Sequence, residues 1–430
     1  MERARMKNLM TWKKGKRRNP LILYGPAHTG KTRLVTDFGE KQYGSTFLWN
    51  FFNNKKLSDI FRKNRDPESI IQGLEKLSGR EIAAEDTLLI FDEIENCPEA
   101  VNSLDAFAES TPQYDIIATS SLLPLAIGGE RFNFPENALT LKLFPMSFKE
   151  FLWAAGQKKL VDEIENSWRF HYPMFGQLHE TALSLCRAYM SCGGMPACVE
   201  ACLQKEAPET LKALQKDILA SWEDDMARYA TPYKTFRTMA VFESMPGQLK
   251  KENKKFMYTL LQEGGRSKSY EFSMNWLKKA GFVIQSGKVK EGTQPLTAHR
   301  DPQSLKLYNA DVGLLTAAGN WDADALLADS LENGETKKAI LENYVAQELT
   351  CNGYTPWYWE SEGKADIDFV IQRADAVIPI EIRAGKSAKG KSFSVFLNKY
   401  RLNYGIEISE RNFSLEGNIR HIPVYAVFCI

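Results

Sequence analysis

The sequence predicts a multidomain α/β protein: a parallel-sheet domain first, a helical and winged-helix middle, and a second α/β domain at the end. Three observations support this prediction. Short apolar runs alternate with polar, helix-compatible segments over residues 1–150, helical spacing dominates the middle, and β-type runs return near the end. With 430 residues, the chain has room for about two to four domains, each able to bury a core.

The first domain is predicted for residues 1–150, where the β-type runs are short and apolar, as buried parallel strands are. These runs cover residues 21–24, 46–49, 87–91 and 115–119.

The next two segments differ in their patterns. Residues 151–235 have helical spacing and are predicted to form a helical connector. Residues 236–325 contain a basic helical stretch, GQLKKENKKFMYTLLQEGG, then a second helix and a β-hairpin, the order of elements in a winged helix. Residues 326–430 return to mixed α and β patterns and form the predicted last domain.

The composition is that of a globular protein, with 43% hydrophobic residues, 25% charged residues and a formal net charge of +1. It excludes a collagen-like or globally disordered chain. No apolar run reaches the roughly 18 residues that cross a bilayer, and the N-terminus, MERARMKNLMTWKKGKRR, lacks the apolar core of a signal peptide. We therefore expect a cytoplasmic protein with no membrane partner. The basic leader is interpreted as solvated, with a DNA-binding arm as the alternative.

The 7 cysteines include no CxxC pair and are expected to be reduced thiols. Four of them, Cys186, Cys192, Cys198 and Cys202, lie in one segment, so a metal site is an alternative. No His in that segment completes a familiar zinc pattern, and free Cys commonly behaves as a small buried hydrophobe. Buried thiols are therefore the preferred interpretation.

A phosphate-binding motif follows the first strand. The segment GPAHTGKT fits the P-loop pattern G-x-x-x-x-G-K-[ST], between an apolar strand and a plausible helix. Its glycines let the backbone curl so that amides face phosphate oxygens, and the dipole of the helix adds positive potential. Lys31 would reach the β and γ phosphates, and the Thr32 hydroxyl would bind Mg²⁺. The candidate nucleotide-binding residues are Gly25, Pro26, Ala27, His28, Thr29, Gly30, Lys31, Thr32 and Arg33.

A second motif weakens the alternative that GPAHTGKT is only a glycine-rich turn. The apolar run TLLIF ends in Asp92 and Glu93, the layout of a Walker B element. Asp92 would hold Mg²⁺ through water, and Glu93 would orient or deprotonate the attacking water. A Glu after the Asp favours hydrolysis, because a kinase instead keeps water away from the γ-phosphate.

Two further residues complete the predicted site. Ser121 follows the next strand and is predicted to contact the γ-phosphate or the water, with a strand-end cap as the alternative. Together with Lys31 and Glu93 it forms the candidate catalytic set. Arg131 is a candidate arginine finger if the protein oligomerises, although a lone loop Arg is more often surface decoration.

These motifs resemble a family of prokaryotic AAA+ type ATP-binding proteins that carry a C-terminal domain of the PD-(D/E)XK nuclease type. The resemblance also rests on IIATSSLL, LFPMSFKEFL, GGMPACVEACL, MPGQLKKENKKF, MNWLKKAGFV, KLYNADVGLL, ENYVAQEL, YWESEGKADIDFVI and IPIEIRAGK. It implies a P-loop ATPase domain using ATP and Mg²⁺, and a restriction-endonuclease-like fold at the C-terminus. Ser120 stands where the family often has Gly. The resemblance supplies no substrate.

The C-terminal acids suggest a degenerate nuclease site. Asp368, Glu381 and Glu342 are placed to meet at strand ends, where such acids hold Mg²⁺ against a phosphodiester. Arg383 occupies the position of the usual catalytic Lys, and its guanidinium cannot transfer a proton. The alternative is a buried ion-pair network of these four residues. Nearby lysines at 386, 389 and 391 could contact a phosphate backbone, although mobile surface lysines are the commoner explanation.

Three functional hypotheses follow. The leading one is an ATPase whose nucleotide state repositions the winged-helix and nuclease-like domains on a partner, with DNA as one candidate and a protein or a second copy as others. The second is a slowly hydrolysing, nucleotide-dependent interaction switch with a non-catalytic docking domain. The third is an ATP-stimulated nuclease.

Overall fold

The computed structural model describes residues 1–15, 18–123, 134–228, 230–322, 334–361, 365–374, 376–384 and 391–430. The chain divides into two compact units. The N-terminal unit comprises residues 2–144 with 279–281, and the C-terminal unit comprises residue 1, residues 145–278 and residues 282–430.

The N-terminal unit is a 5-stranded sheet in the order β2-β3-β4-β1-β5, and every pairing in it is parallel. Its strands are β1 (Leu21–Tyr24), β2 (Ser45–Asn50), β3 (Thr87–Asp92), β4 (Asp115–Ser120) and β5 (Leu139–Lys142). Its helices include α1 (Met6–Lys13), α2 (Lys31–Gln42), α3 (Lys55–Lys63), α4 (Pro67–Ser78) and α5 (Pro98–Ser110). The parallel α/β prediction is confirmed. The sequence analysis missed β5, whose residues, LTLK, are exposed or half-buried and give no apolar run.

Strand β3 shows why the apolar runs form buried strands. All 6 of its residues are buried, because successive side chains of a strand point to opposite faces and both faces of this sheet are covered. Leu89 and Phe91 join one hydrophobic cluster, whereas Leu88 and Ile90 join another. Parallel strands packed in this way bring the residues that follow β1, β3 and β4 to the same edge of the sheet.

The C-terminal unit contains an 8-stranded mixed sheet in the order β12-β13-β11-β10-β9-β8-β6-β7. Its strands are β6 (Val283–Val289), β7 (Arg300–Asn309), β8 (Trp357–Glu360), β9 (Asp366–Arg373), β10 (Ala376–Ile382), β11 (Gly405–Ser409), β12 (Ser414–Glu416) and β13 (Ile419–Pro423). Its helices include Phe148–Ala154, Lys158–Phe170, Gly176–Cys192, Pro196–Leu203, Pro208–Arg228, Pro232–Leu249, Ser267–Ala280, Val312–Ala318, Gly334–Cys351 and Lys391–Tyr400. No helix that the structure describes is both long and apolar enough to cross a lipid bilayer.

The predicted order of helix, helix and β-hairpin appears in this unit. Helices Pro232–Leu249 and Ser267–Ala280 precede the antiparallel pair β6 and β7. Strand β6 also pairs in parallel with β8, which covers the β6 edge of the hairpin and leaves β7 as the outer strand of the sheet. The hairpin therefore belongs to the same sheet as the C-terminal strands, across the boundary predicted at residue 325. The winged helix and the restriction-endonuclease-like fold stay predictions.

The basic stretch GQLKKENKKFMYTLLQEGG is not one helix. Helix Pro232–Leu249 ends near its start, and bends and turns follow before the short 3-10 helix Tyr258–Leu260. Lys254 of this stretch is only 4% exposed. The prediction of a basic helix was therefore wrong over most of this segment, because a tertiary ion pair, described below, draws Lys254 into the core.

Several of the resemblance motifs meet in one buried polar network of the C-terminal unit. Asp311 accepts hydrogen bonds from the backbone N–H groups of Gly194 (2.6 Å) and Leu314 (3.0 Å). Gly193 has φ of 76°, and a Cβ built there would lie 2.0 Å from Asp311 Oδ1. Burial raises the pKa of Asp311 to about 6 although three backbone N–H groups lower it. The glycines of GGMP are thus explained by close packing and by a left-handed backbone.

The helix Gly334–Cys351 supplies the other half of this network. Asn343 Oδ1 accepts from the N–H of Asn309 at 2.8 Å, and its amide donates to the Asn309 carbonyl at 3.1 Å. Glu348 accepts from the N–H of Phe148 at 2.8 Å, and burial raises the pKa of this acid to about 8. The polar residues of ENYVAQEL therefore hold other segments of the same unit together.

The clustered cysteines lie in the helices Gly176–Cys192 and Pro196–Leu203. Cys186, Cys192 and Cys198 are buried, and Cys202 is half-buried. Burial raises the pKa of Cys198 to about 12, so this thiol is protonated at neutral pH. Among the described residues, no group of three or more His, Cys, Asp and Glu side chains has the arrangement of a metal site.

Candidate nucleotide-binding site

The P-loop connects β1 to α2 through two glycines that no other residue could replace without strain. A Cβ on Gly25 would lie 2.1 Å from the carbonyl oxygen of Leu143. Gly30 precedes α2 with φ of 86° and ψ of 28°, a left-handed conformation. His28 is also left-handed, with φ of 67°, and burial and the charge of Lys31 lower its pKa. The loop thus curls around the N-terminus of α2, where anions bind.

Lys31 lies inside this loop. Its side chain is buried, and Nζ donates to the carbonyls of Gly25 and Pro26 and to Ser121 Oγ, each at 2.9 Å. Thr29 is also buried, and its hydroxyl donates to the Pro26 carbonyl at 2.8 Å. The ammonium group is therefore placed between the P-loop and the end of β4.

Asp92 is the centre of the second group. The Thr32 hydroxyl donates to Asp92 Oδ1 at 2.7 Å, and the Asn50 amide donates to Asp92 Oδ2 at 2.7 Å. Thr119 also donates its hydroxyl to Oδ1. The Asp92 residue is 3% exposed. The adjacent hydroxyl of Thr32 and carboxylate of Asp92 are hard oxygen donors of the kind that Mg²⁺ prefers, so these residues fit that ion.

Glu93 adopts a strained conformation beside this group. Its φ of 54° and ψ of 44° are left-handed, which costs a residue with a Cβ roughly 1 kcal/mol or more. Its N–H donates to Thr119 Oγ1 at 3.3 Å, and its carboxylate accepts from Ser121 Oγ at 3.4 Å. Ser121 thus connects Lys31 with Glu93, and the three predicted catalytic residues form one hydrogen-bonded chain.

The structure separates Arg33 from the other predicted residues. Its side chain is 80% exposed and forms an ion pair with Asp37 at 2.7 Å along the surface of α2. Ala27 lies within the loop and is half-buried. Arg131, the candidate arginine finger, falls outside the described residues.

Two polar residues of this site contact Asp92 in a way that the sequence analysis did not predict. Asn50 ends β2 directly opposite Asp92 in the sheet register, and Thr119 lies near the end of β4. Their positions at strand ends were the available signal. Pairing of the strands was needed to show that both side chains meet Asp92.

Glu95 was also missed, and it fixes the segment that carries Ser121. One carboxylate oxygen, Oε1, accepts from the N–H groups of Ser121 at 2.8 Å and Leu122 at 3.1 Å. Glu95 is 5% exposed. Nothing in the sequence distinguished this acid from others in the loop after Glu93.

Arg3 corrects the interpretation of the leader as solvated. This side chain is 7% exposed, and its guanidinium donates to the carbonyls of Thr29 and Phe144, each at 2.6 Å. The C=O and N–H of a trans peptide point in opposite directions, so a donor on the Thr29 carbonyl leaves the Gly30 N–H facing away from it. Arg3 therefore braces the P-loop. The lysine and arginine at 16 and 17 fall outside the described residues.

Among the predicted nuclease residues, Glu342 and Asp368 both contact Lys338. Glu342 is fully buried, with Lys254 Nζ at 2.7 Å, Lys306 Nζ at 3.7 Å and Lys338 Nζ at 3.8 Å. Lys338 also lies 3.1 Å from Asp368. Burial alone would raise the pKa of Glu342, but the three ammonium groups lower it to about 2. We call this group the Glu342 cluster.

The other two predicted residues belong to different contacts. Burial raises the pKa of Glu381 to about 7, although Arg383 lowers it, and its Oε2 has no hydrogen-bond partner among the described residues. Arg383 Nε lies 2.7 Å from Glu407, whose carboxylate is also 2.9 Å from His421 Nδ1. The lysines at 386 and 389 fall outside the described residues. Ion pairing thus occupies three of the four predicted residues.

Comparison with known families assigns the N-terminal part. Residues 17–152 match the model of the AAA domain family AAA_14. The match assigns an AAA domain to this part of the chain. The expectation of an AAA-type P-loop domain is therefore confirmed. Residues 183–325 match DUF8612 and residues 337–427 match DUF4143, both domains of unknown function. The nuclease-type expectation gains no support from these matches.

Solved structures show weaker similarity. The Walker-type ATPase PABY2304 of Pyrococcus abyssi is 12% identical, with 73% of this chain and 94% of that chain covered and a TM-score of 0.43. The Orc1 protein of Aeropyrum pernix, solved in complex with DNA, is 11% identical over 74% and 93%, with a TM-score of 0.27. Cdc6p of Pyrobaculum aerophilum is 13% identical over 79% and 95%, with a TM-score of 0.26. No curated protein matches the sequence. Similarity this low carries no argument about function.

Proposed function

We propose that the AAA domain binds ATP with Mg²⁺ and hydrolyses it. The observation that carries the proposal is the continuous contact from Lys31 through Ser121 to Glu93, beside the pair Thr32 and Asp92. A phosphate-binding loop, a Mg²⁺-binding pair of oxygens and a carboxylate next to them are the parts that phosphoryl transfer to water requires.

Each residue has a distinct role in this proposal. The amides of the P-loop and the charge of Lys31 would bind the phosphate oxygens, replacing the carbonyl contacts that Lys31 makes with Gly25 and Pro26. Thr32 and Asp92 would hold Mg²⁺, which when bound offsets negative charge on the phosphates. Glu93 would orient the attacking water and accept its proton. Ser121 would hold the side chains of Lys31 and Glu93 in position through its hydrogen bonds to both.

The test is Mg²⁺-dependent phosphate release together with thermal unfolding in Mg-ATP. Lys31→Ala is expected to lose both turnover and the nucleotide-induced rise in Tm, because it removes the phosphate-binding charge. Glu93→Gln is expected to keep the rise in Tm and lose turnover, since the amide cannot accept the proton. Lys41→Ala, at an exposed position of the same helix, is the control. Wild-type protein that neither turns over ATP nor gains Tm would refute the proposal.

A nucleotide-dependent switch is the second candidate, and the C-terminal ion pairs favour it. Ammonium groups surround Glu342 and one contacts Asp368, while Arg383 is paired with Glu407. Carboxylates that are already paired with ammonium or guanidinium groups are poorly suited to bind Mg²⁺ for phosphodiester cleavage. In the switch, the C-terminal domain would therefore act by docking. A slow rate of ATP hydrolysis in single-turnover experiments, together with nucleotide that stays bound through purification, would favour the switch over rapid hydrolysis. Metal-dependent DNA cleavage that Asp368→Ala abolishes would instead support the nuclease hypothesis.

In either case we propose that the nucleotide state of the AAA domain alters how the C-terminal unit engages a partner. DNA is the partner class considered first. The net charge of +1 gives no overall argument for DNA. The support therefore comes from local groups of basic residues.

A further inference from the structure

Two exposed aromatic rings lie close together on the helix Pro232–Leu249. Tyr233 is 64% exposed and Phe236 is 73% exposed. They are three residues apart, so they lie on the same face of the helix, one turn from each other. Two large rings exposed side by side form an apolar patch of the kind that marks interaction surfaces.

Two cations of this helix lie beside aromatic rings. Lys234 Nζ lies 3.9 Å from the ring centroid of Phe272, and Arg237 Cζ lies 4.5 Å from that of Tyr233. Arg237 also donates to the carbonyl of Ser269 at 2.6 Å. The helix Pro232–Leu249 is thus joined to the helix Ser267–Ala280 by the cation–π contact of Lys234 and by the hydrogen bond of Arg237, and Arg237 is held next to the exposed ring of Tyr233.

Cations outnumber acids in the two segments that form these contacts. Residues 231–240 and 264–274 contain the cations Lys234, Arg237, Arg266 and Lys268 and a single acid, Glu271. Within the described part of the chain, none of these four cations forms a salt bridge. We call the group formed by Tyr233, Phe236 and these four cations the aromatic-cationic surface.

We infer that the aromatic-cationic surface binds single-stranded nucleic acid. Cations without carboxylate partners suit a phosphate backbone, and rings that face solvent on the same helix suit unstacked bases. In a duplex the faces of the bases are already stacked, so the two rings would find nothing to cover them. The arrangement therefore favours a single strand over a duplex.

This inference rests on the proposed function for its biological use, because it names the partner class that nucleotide turnover would act on. Binding itself lies in the C-terminal unit and requires no nucleotide. Failure of ATP turnover and failure of nucleic-acid binding are thus separate results.

The experiment is fluorescence anisotropy of the full chain with a labelled oligo-dT 20-mer and with a duplex of equal length, without nucleotide. Tyr233→Ala combined with Phe236→Ala is expected to weaken binding to the single strand by about tenfold or more, because bases can no longer stack on these two rings. Lys234→Gln combined with Arg237→Gln is expected to reduce the salt dependence, lowering the slope of log K against log salt by about 1.4. Lys31→Ala is expected to bind the oligonucleotide as the wild type does.

The matched control is Phe170→Ala combined with Phe175→Ala, which removes rings that are 65% and 80% exposed elsewhere in the same unit. This variant is expected to bind normally. Thermal unfolding shows whether each variant folds, and the ring variants change exposed positions only. No binding of oligo-dT, equal or tighter binding of the duplex, or equal losses in the control and the test variant would each overturn the inference. The inference would also be overturned if this surface bound a protein and not nucleic acid.

Discussion

The Glu342 cluster gives a prediction whose size follows from the structure. Glu342→Gln keeps the volume of the side chain and removes its charge, leaving Lys254, Lys306 and Lys338 around a neutral amide. Of these three lysines, Lys338 then still has a contact with Asp368, at 3.1 Å. Breaking a buried ion pair by removing one partner costs about 3–5 kcal/mol, because the remaining charge stays buried without compensation. We expect a loss of that order in the free energy of unfolding at neutral pH.

The pKa of Glu342 gives an independent magnitude and a sign. The lysines lower this pKa from 4.5 to about 2 against the effect of burial. At about 1.4 kcal/mol for each pKa unit, the ionised form contributes roughly 3 kcal/mol. Because the pKa is lowered in the folded state, this stability is present above pH 4.5 and is lost as the pH falls towards 2. The difference between wild type and Glu342→Gln is therefore expected to be largest near neutral pH and to shrink in acid.

The assay is chemical denaturation followed by tryptophan fluorescence, at several pH values from about 7 to 3. Glu335→Gln, an exposed position in the first turn of the same helix, is the control and is expected to change stability by less than about 1 kcal/mol. A difference between wild type and Glu342→Gln that stays below about 1 kcal/mol and does not change with pH would show that Glu342 is not an ionised partner of these lysines.

Two further predictions concern residues that brace each unit. Glu95→Ala is expected to lower ATP turnover severalfold by freeing the Ser121 and Leu122 amides, whereas Glu95→Gln, which keeps an acceptor oxygen, should retain most of it; equal turnover in both variants would contradict this. Gly193→Ala is expected to cost several kcal/mol, measured by denaturation, because its Cβ would lie 2.0 Å from Asp311 Oδ1. Gly156→Ala, with φ of 73° and nothing within 4 Å, is expected to cost only about 1 kcal/mol, and a similar loss at both glycines would refute the packing argument.

The strands β1 to β4 and the P-loop could be predicted because each is a local pattern. A buried parallel strand is an apolar run, and a phosphate loop needs glycines at fixed spacing before a helix. Strand β5 could not be predicted in this way, since two of its residues are exposed and two are half-buried, so it has no buried apolar run. Asn50 and Glu95 were missed for a related reason: each acts on a residue of another strand, and no local pattern shows that contact.

The C-terminal acids show why a local prediction leaves the chemistry of a site open. Asp368 and Glu342 do approach one another, as the spacing of acids suggested. Lys338, which contacts both acids, lies four residues before Glu342 on the same helix, but Lys254 and Lys306 come from distant segments. Whether an acid binds a metal or an ammonium depends on all these neighbours, and the sequence around the acid contains only one of them.

By itself, the sequence determined that the N-terminal part has a parallel sheet with a phosphate-binding loop, because strand burial and loop curvature depend on adjacent residues. Only the tertiary structure decided which side chains meet Asp92, that Arg3 supports the loop, and that lysines neutralise Glu342. Those outcomes depend on side chains brought together from positions far apart in the chain, and charge and hydrogen bonding act through space at distances of a few ångströms. The sequence determines such distances only because it determines the fold.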